Sequence, residues 1–275
     1  MKSRLWHLFR IDRACAKNAV LYGLLISLLG ATFSAAAEPL PPPDSTGAIW
    51  AWSPNQEPRL PSYVILHHTA YRDADHVIDK FLREDSKVSA HYLITRTGVL
   101  YQFVPESARA WHAGAARWRN EDDLNSRSIG IELDNDGFEP YSEAQLVRLF
   151  RLLDELRDRY NLPAGRFIGH ADIAPTRKID PNVNFPWERL AALGFGHWAW
   201  SKETSLPADF SIPQALAEIG YDLRQPHAAL TAFKRHFMPH RLRASFSTED
   251  AQVLARIVQQ YRQERQNTPA QEDAP

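Results

Sequence analysis

Cysteine is all but absent from this sequence of 275 residues: the only one, Cys15, precedes the longest uncharged run, Ala19 to Ala37. One thiol cannot form an internal disulfide, so a cystine framework is excluded. A surplus of either charge is also missing, since the formal net charge is -1 and the pI is near 6.8. That removes the basic face expected of a nucleic-acid binder. The sequence holds neither an HExxH helix motif nor a GxSxG nucleophile elbow, which sets aside two common hydrolase designs.

The N-terminus does have a pattern. Lys2, Arg4, Arg10, Arg13 and Lys17 precede the uncharged run, which closes on Ser34-Ala35-Ala36-Ala37. This reads as a secretory signal over residues 1–37, cut after Ala37, and so predicts export to the periplasm or cell envelope. An uncleaved anchor is the alternative, for which nineteen residues are barely long enough. Cys15 lies before the run, not after it, so it is not a lipidation site, and cleavage leaves a mature chain without cysteine. Thiolate ligands and a cysteine nucleophile then drop out together. With 44% hydrophobic and 24% charged residues, the rest is ordinary globular protein.

Residues 38–62 carry seven prolines and read as a tether or an ordered wrap. From there apolar runs alternate with helical periodicity. Strands are predicted over 63–68, 90–95, 99–104, 128–133 and 166–170. Helices are predicted near 74–83, with Val77, Ile78, Phe81 and Leu82 inward, and from a capping box at Ser142 and Gln145 to Tyr160, with Leu146, Leu149, Phe150 and Leu153 inward. This is the α/β class: a mixed central sheet flanked by helices over residues 63–200. Three short helices follow, over 212–219, 228–237 and 247–262, giving a small three-helix domain at 201–266 and a disordered tail at 267–275. The alternative is a helical cap packed on the first domain.

Two places gather metal-binding chemistry. The apolar run Tyr63 to Leu66 ends in His67-His68, and Gly169 to Asp180 holds His170, Lys178 and Asp180. Neutral imidazoles and a carboxylate are zinc ligands, and a catalytic zinc uses three of them. Glu132 stands in the apolar strand Ile129 to Leu133, where a carboxylate is costly unless it is paired or functional.

In order, VILHHTA, SAHYLI, AWHAG, SIGIELDN and GHADIAPTRKIDP resemble the type 2 zinc N-acetylmuramoyl-L-alanine amidases, which share a fold with peptidoglycan recognition proteins. The likeness runs from about Tyr63 to Trp187. It implies one zinc ion held by His67, His170 and Asp180, with Glu132 and Lys178 catalytic and with Trp111 and His112 in the substrate groove. The implied reaction is hydrolysis of the amide between N-acetylmuramic acid and L-alanine in peptidoglycan or muropeptides. The C-terminal helices resemble a peptidoglycan-binding module. A monomer is expected, with no stable membrane span after signal cleavage.

His68 is expected to point away from His67, since strand side chains alternate. His91 is expected to be a packed strand residue, Asp172 to serve the turn or orient a neighbour, and Arg177 to be solvated or substrate-facing. The chain has Pro181-Asn182 where the family commonly has Pro-Gly, which Asn is expected to tolerate through left-handed backbone angles. The competing reading is a non-catalytic muropeptide-binding module. Another zinc hydrolase, such as a peptidase or deacetylase, is a third.

Overall fold

The computed structural model describes residue 44 and residues 47–51, 53–58, 61–200 and 205–267, all within one folded unit, Leu40–Pro275. The expected signal over 1–37 and the tail from 268 onward lie outside the described residues; Asn267, assigned to that tail, ends the last helix instead. No described helix is long and apolar enough to cross a membrane.

In its described part the proline-rich segment is a wrap. Its β1 (Ile49–Trp50) pairs in parallel with Tyr101–Gln102, and β2 (Gln56–Pro58) pairs antiparallel with Ala108–Ala110. Between them Ser53 Oγ donates to the Phe81 carbonyl and Asn55 Nδ2 to that of Arg83. These side-chain bonds do what apolar periodicity does elsewhere, which is why the sequence signals neither strand.

β3 (Tyr63–His68) leads into α1 (Ala74–Leu82), β4 (Tyr92–Ile94), β5 (Leu100–Gln102) and β6 (Ala108–Ala110). Then come α2 (Leu124–Arg127), β7 (Ser128–Leu133), α3 (Glu143–Tyr160), β8 (Phe167–Gly169), α4 (His170–Ile173) and α5 (Trp187–Ala192). The main sheet has the order β1-β5-β4-β7-β3-β8, with β4, β7, β3 and β8 mutually parallel and β5 antiparallel to β4.

β3 is buried at every position, as expected of a central strand covered on both faces. Val64 and Leu66 face a core with Leu146, Leu149 and Leu153 of α3. Tyr63 and Ile65 face the opposite core, built with α6 (Ile212–Ile219), α7 (Pro226–Phe237) and α8 (Thr248–Asn267) through Leu216, Phe233 and Ile257. The C-terminal helices therefore share a core with the sheet. The same alternation sends His67 to the Tyr63 face and His68 to the other.

Caps set several boundaries. Ser142 Oγ accepts from Gln145 N at the start of α3, and Ser211 does the same for Gln214 at α6. Only half of the expected capping box forms at α3, because the Gln145 amide donates to the carbonyls of Ile94 and Asp134 and so ties the helix to two strands. Three expected core residues differ: Leu82 is 43% exposed and Ile78 and Phe150 are only partly buried, while Leu152 and Leu156 are buried.

Candidate metal centre

Parallel pairing brings the C-terminal ends of three strands together, the usual position for a ligand site in an open α/β sheet. His67 on β3 is in register with Glu132 on β7. Next to them β8 stops at Gly169, whose N–H donates to Asp172 Oδ2 at 2.8 Å, so that His170 opens α4. Ala171 N–H donates to the Asp180 carbonyl at 2.8 Å and folds the following loop back over the strand end.

Three ligand-type atoms converge as a result. His67 Nδ1 lies 2.8 Å from His170 Nδ1 and 3.2 Å from Asp180 Oδ2, and the last two are 2.9 Å apart. All three residues are buried. Burial, together with the neighbouring His170, pushes the His67 pKa down to about 4 against the pull of Asp180, so the ring is neutral. Burial opposes ionisation of Asp180, but the close approach of the His170 and His67 rings outweighs it and holds its carboxyl well below the usual range.

The donor set fits a zinc ion. Two imidazole nitrogens and one carboxylate oxygen match the set of three protein ligands that a catalytic zinc takes. His170 Nε2 faces the carbonyl of Ala113 at 3.0 Å; a carbonyl can only accept, so this nitrogen donates to it and Nδ1 is the nitrogen turned toward the cluster.

Glu132 reaches the cleft beside this cluster. The residue is partly exposed, yet its Oε2 is enclosed and has no hydrogen-bond partner among the described residues. Burial first, then the charge of Asp180, raises its pKa to about 8 against the attraction of Lys178 and Lys80. Lys178 lines the same cleft, with Trp111, His112 and Lys80.

The expected site residues thus come together, with changes of detail. His68 points to the other face and abuts Gly137, where an added Cβ would lie 3.1 Å from Nε2, although its edge also lines the cleft. His112, expected toward substrate, sets its Nδ1 3.0 Å from His67 Nε2 while staying partly exposed. Trp111 forms a wall, with Lys87 over its ring. His91 is packed: Nδ1 accepts from Gly130 N–H and Nε2 faces the Ala108 carbonyl. Arg177 donates to the carbonyls of Ala113 and Ala115.

Asn182 differs from expectation. It keeps a negative φ and holds its turn as a buried amide, donating to Asn135 Oδ1 at 2.9 Å and accepting from Asn184 N–H at 2.8 Å. Asn125 is a positioning residue that the sequence does not signal. Its Oδ1 accepts from the backbone N–H groups of His112 and Ala113, fixing the loop that carries both. A lone Asn in a polar stretch carries no periodic signal.

A family model described as N-acetylmuramoyl-L-alanine amidase matches residues 56–183. N-acetylmuramoyl-L-alanine amidase AmiD of Escherichia coli is 33% identical over 239 residues, covering 75% of this chain and 85% of that protein. The 1,6-anhydro-N-acetylmuramyl-L-alanine amidase AmpD of Citrobacter freundii is 43% identical over 107 residues, 39% of this chain and 57% of AmpD. Among solved structures, AmiD in complex with the substrate anhydro-N-acetylmuramic acid-L-Ala-D-gamma-Glu-L-Lys aligns with a TM-score of 0.65 at 30% identity, covering 77% of this chain and 91% of that one. AmpDh3 of Pseudomonas aeruginosa in complex with anhydromuramic pentapeptide aligns with a TM-score of 0.66 at 29% identity, covering 74% and 93%.

Proposed function

The chain belongs to the type 2 N-acetylmuramoyl-L-alanine amidase family, and from that premise we propose that it hydrolyses the amide between the lactyl group of N-acetylmuramic acid and L-alanine, with one zinc ion held by His67, His170 and Asp180. The observation that carries this reading is the convergence of His67 Nδ1, His170 Nδ1 and Asp180 Oδ2 beside Glu132. The AmiD and AmpDh3 complexes support a muropeptide as the occupant of the cleft.

An amide has a weakly electrophilic carbonyl and a poor leaving group. Zinc bound at this cluster supplies a Lewis acid that polarises such a carbonyl and acidifies water. Glu132 takes the attacking water's proton through its carboxylate and returns it to the departing alanine nitrogen. One group serves both steps because the enclosed position keeps the proton from bulk solvent. Lys178, a donor on the cleft wall, faces the negative charge that develops on the former carbonyl oxygen. Trp111 and His112 border the space left for glycan and peptide.

The basic, then apolar, then small-residue N-terminus supports export, which would place the enzyme in the periplasm or envelope with wall-derived substrates. The test is incubation of the protein starting at Glu38 with purified muropeptides, with and without a chelator, zinc restoration and Glu132→Ala, read by mass spectrometry. Release of intact stem peptide that requires both zinc and Glu132 is expected. Muropeptide that is bound but never cut would instead make the protein a recognition module.

A further inference from the structure

The second nitrogen of His67 leads into a chain of hydrogen bonds whose proton positions are fixed from its far end. Ser128 Oγ donates to the Leu124 carbonyl, which can only accept, so the one proton of that hydroxyl is committed there. His112 Nε2 lies 3.3 Å from the same Oγ and must therefore donate to it. A neutral His112 protonated on Nε2 has its lone pair on Nδ1, and that atom is 3.0 Å from His67 Nε2. His67 must then donate from Nε2, which leaves its Nδ1 lone pair facing His170 and Asp180.

Two packing features hold this chain in line. The His112 ring lies directly on the backbone of β7 at Gly130, where an added Cβ would come within 2.4 Å of His112 Cγ. That contact is backbone against ring, so no flexible group can yield. Asn125 Oδ1 clamps the main chain of His112 and Ala113, and the second of these supplies the carbonyl facing His170 Nε2. One short loop thereby orients both imidazoles of the cluster.

We propose that His112 is a positioning residue for the metal centre, fixing the tautomer and ring orientation of His67 through the relay Leu124 carbonyl, Ser128, His112, and that Gly130 is glycine because the relay occupies the space of its side chain. The inference rests on the reading of His67 as a metal ligand. Loss of an outer partner of a ligating histidine typically lowers metal affinity roughly 10- to 100-fold.

The experiment is zinc titration against a chromophoric chelator for the full chain and for His112→Phe, His112→Asn, Ser128→Ala and Gly130→Ala, with histidine ring nitrogens followed by NMR in the metal-free proteins. His112→Phe keeps the ring but removes the acceptor, and it is expected to weaken zinc binding about 10- to 100-fold while the His67 nitrogens lose their single-tautomer pattern. His112→Asn puts an oxygen near the Nδ1 position and is expected to recover most of that loss. Ser128→Ala, which leaves the ring in place, is expected to show a smaller loss in the same direction, and Gly130→Ala one comparable to His112→Phe. Parent protein that fails to bind zinc would overturn the metal-site reading itself. Zinc-binding parent with unchanged affinity and unchanged His67 tautomer in His112→Phe would overturn the relay alone, and equal losses in His112→Phe and His112→Asn would do the same.

Discussion

His236 on α7 donates from Nδ1 to Asp172 Oδ2 at 2.8 Å, and Asp172 is two residues from the metal-cluster residue His170. Tyr221 OH donates to the other oxygen at 2.7 Å, and Gly169 N–H shares Oδ2. The turn that delivers His170 is thus held from the C-terminal helices by a carboxylate that is 2% exposed. Trp187 stacks on His236 at 3.7 Å between ring centres and closes this junction from a third side.

Removing that carboxylate orphans three buried donors. Asp172→Ala is expected to cost about 3–5 kcal/mol of stability, lowering Tm by about 10 °C for a protein of this size. Tyr221→Phe, which removes one bond, is expected to cost about 1–2 kcal/mol. Thermal unfolding of the two variants checks the order, and a larger loss in Tyr221→Phe than in Asp172→Ala would contradict the account.

Glu132 gives the metal-free protein a defined pH dependence. Its folded pKa of about 8 lies above the ordinary 4.5, first because of burial and then because of Asp180. Between those values the folded state keeps a proton that the unfolded chain has lost, so this group's contribution to stability falls as pH rises from about 4.5 to about 8 and is level on either side. Glu132→Gln, which cannot ionise, is expected to match the parent near pH 4 and to exceed it by a few kcal/mol at pH 8.5. Urea unfolding of both metal-free proteins across that range measures the difference.

Lys178 is expected to act on the transition state and not on the metal. Lys178→Met is expected to lower kcat roughly 10²- to 10³-fold without weakening zinc binding, because removing a nearby cation cannot disfavour another. Steady-state kinetics beside chelator competition separates the two effects; zinc affinity falling in step with kcat would move Lys178 into the metal site.

Zinc should stabilise the folded chain by mass action. At one hundred times its Kd the ion is expected to add about 2.7 kcal/mol, seen as a rise in Tm. The response should vanish in His170→Ala and Asp180→Ala, which remove a ligand each, and persist in His68→Ala. Loss of the response in His68→Ala would reverse the assignment of the histidine pair.

Much of the architecture is legible in local sequence. β3, β7 and α3 follow their apolar periods to within a residue, and Ser142 marks a helix start, because period and capping act over a few neighbouring residues. The ordered motifs likewise single out His67, His170, Asp180, Glu132 and Lys178. By itself the sequence determined which chemical groups are present, which strands and helices carry them, and the family they resemble. Only the tertiary structure decided that the proline-rich segment pairs with the sheet, that Asn182 is a buried hub, that His112 backs His67 across 45 residues and that His236 holds Asp172 across 64. Those relations depend on strand register and on where distant helices pack, and no short-range period or cap encodes them.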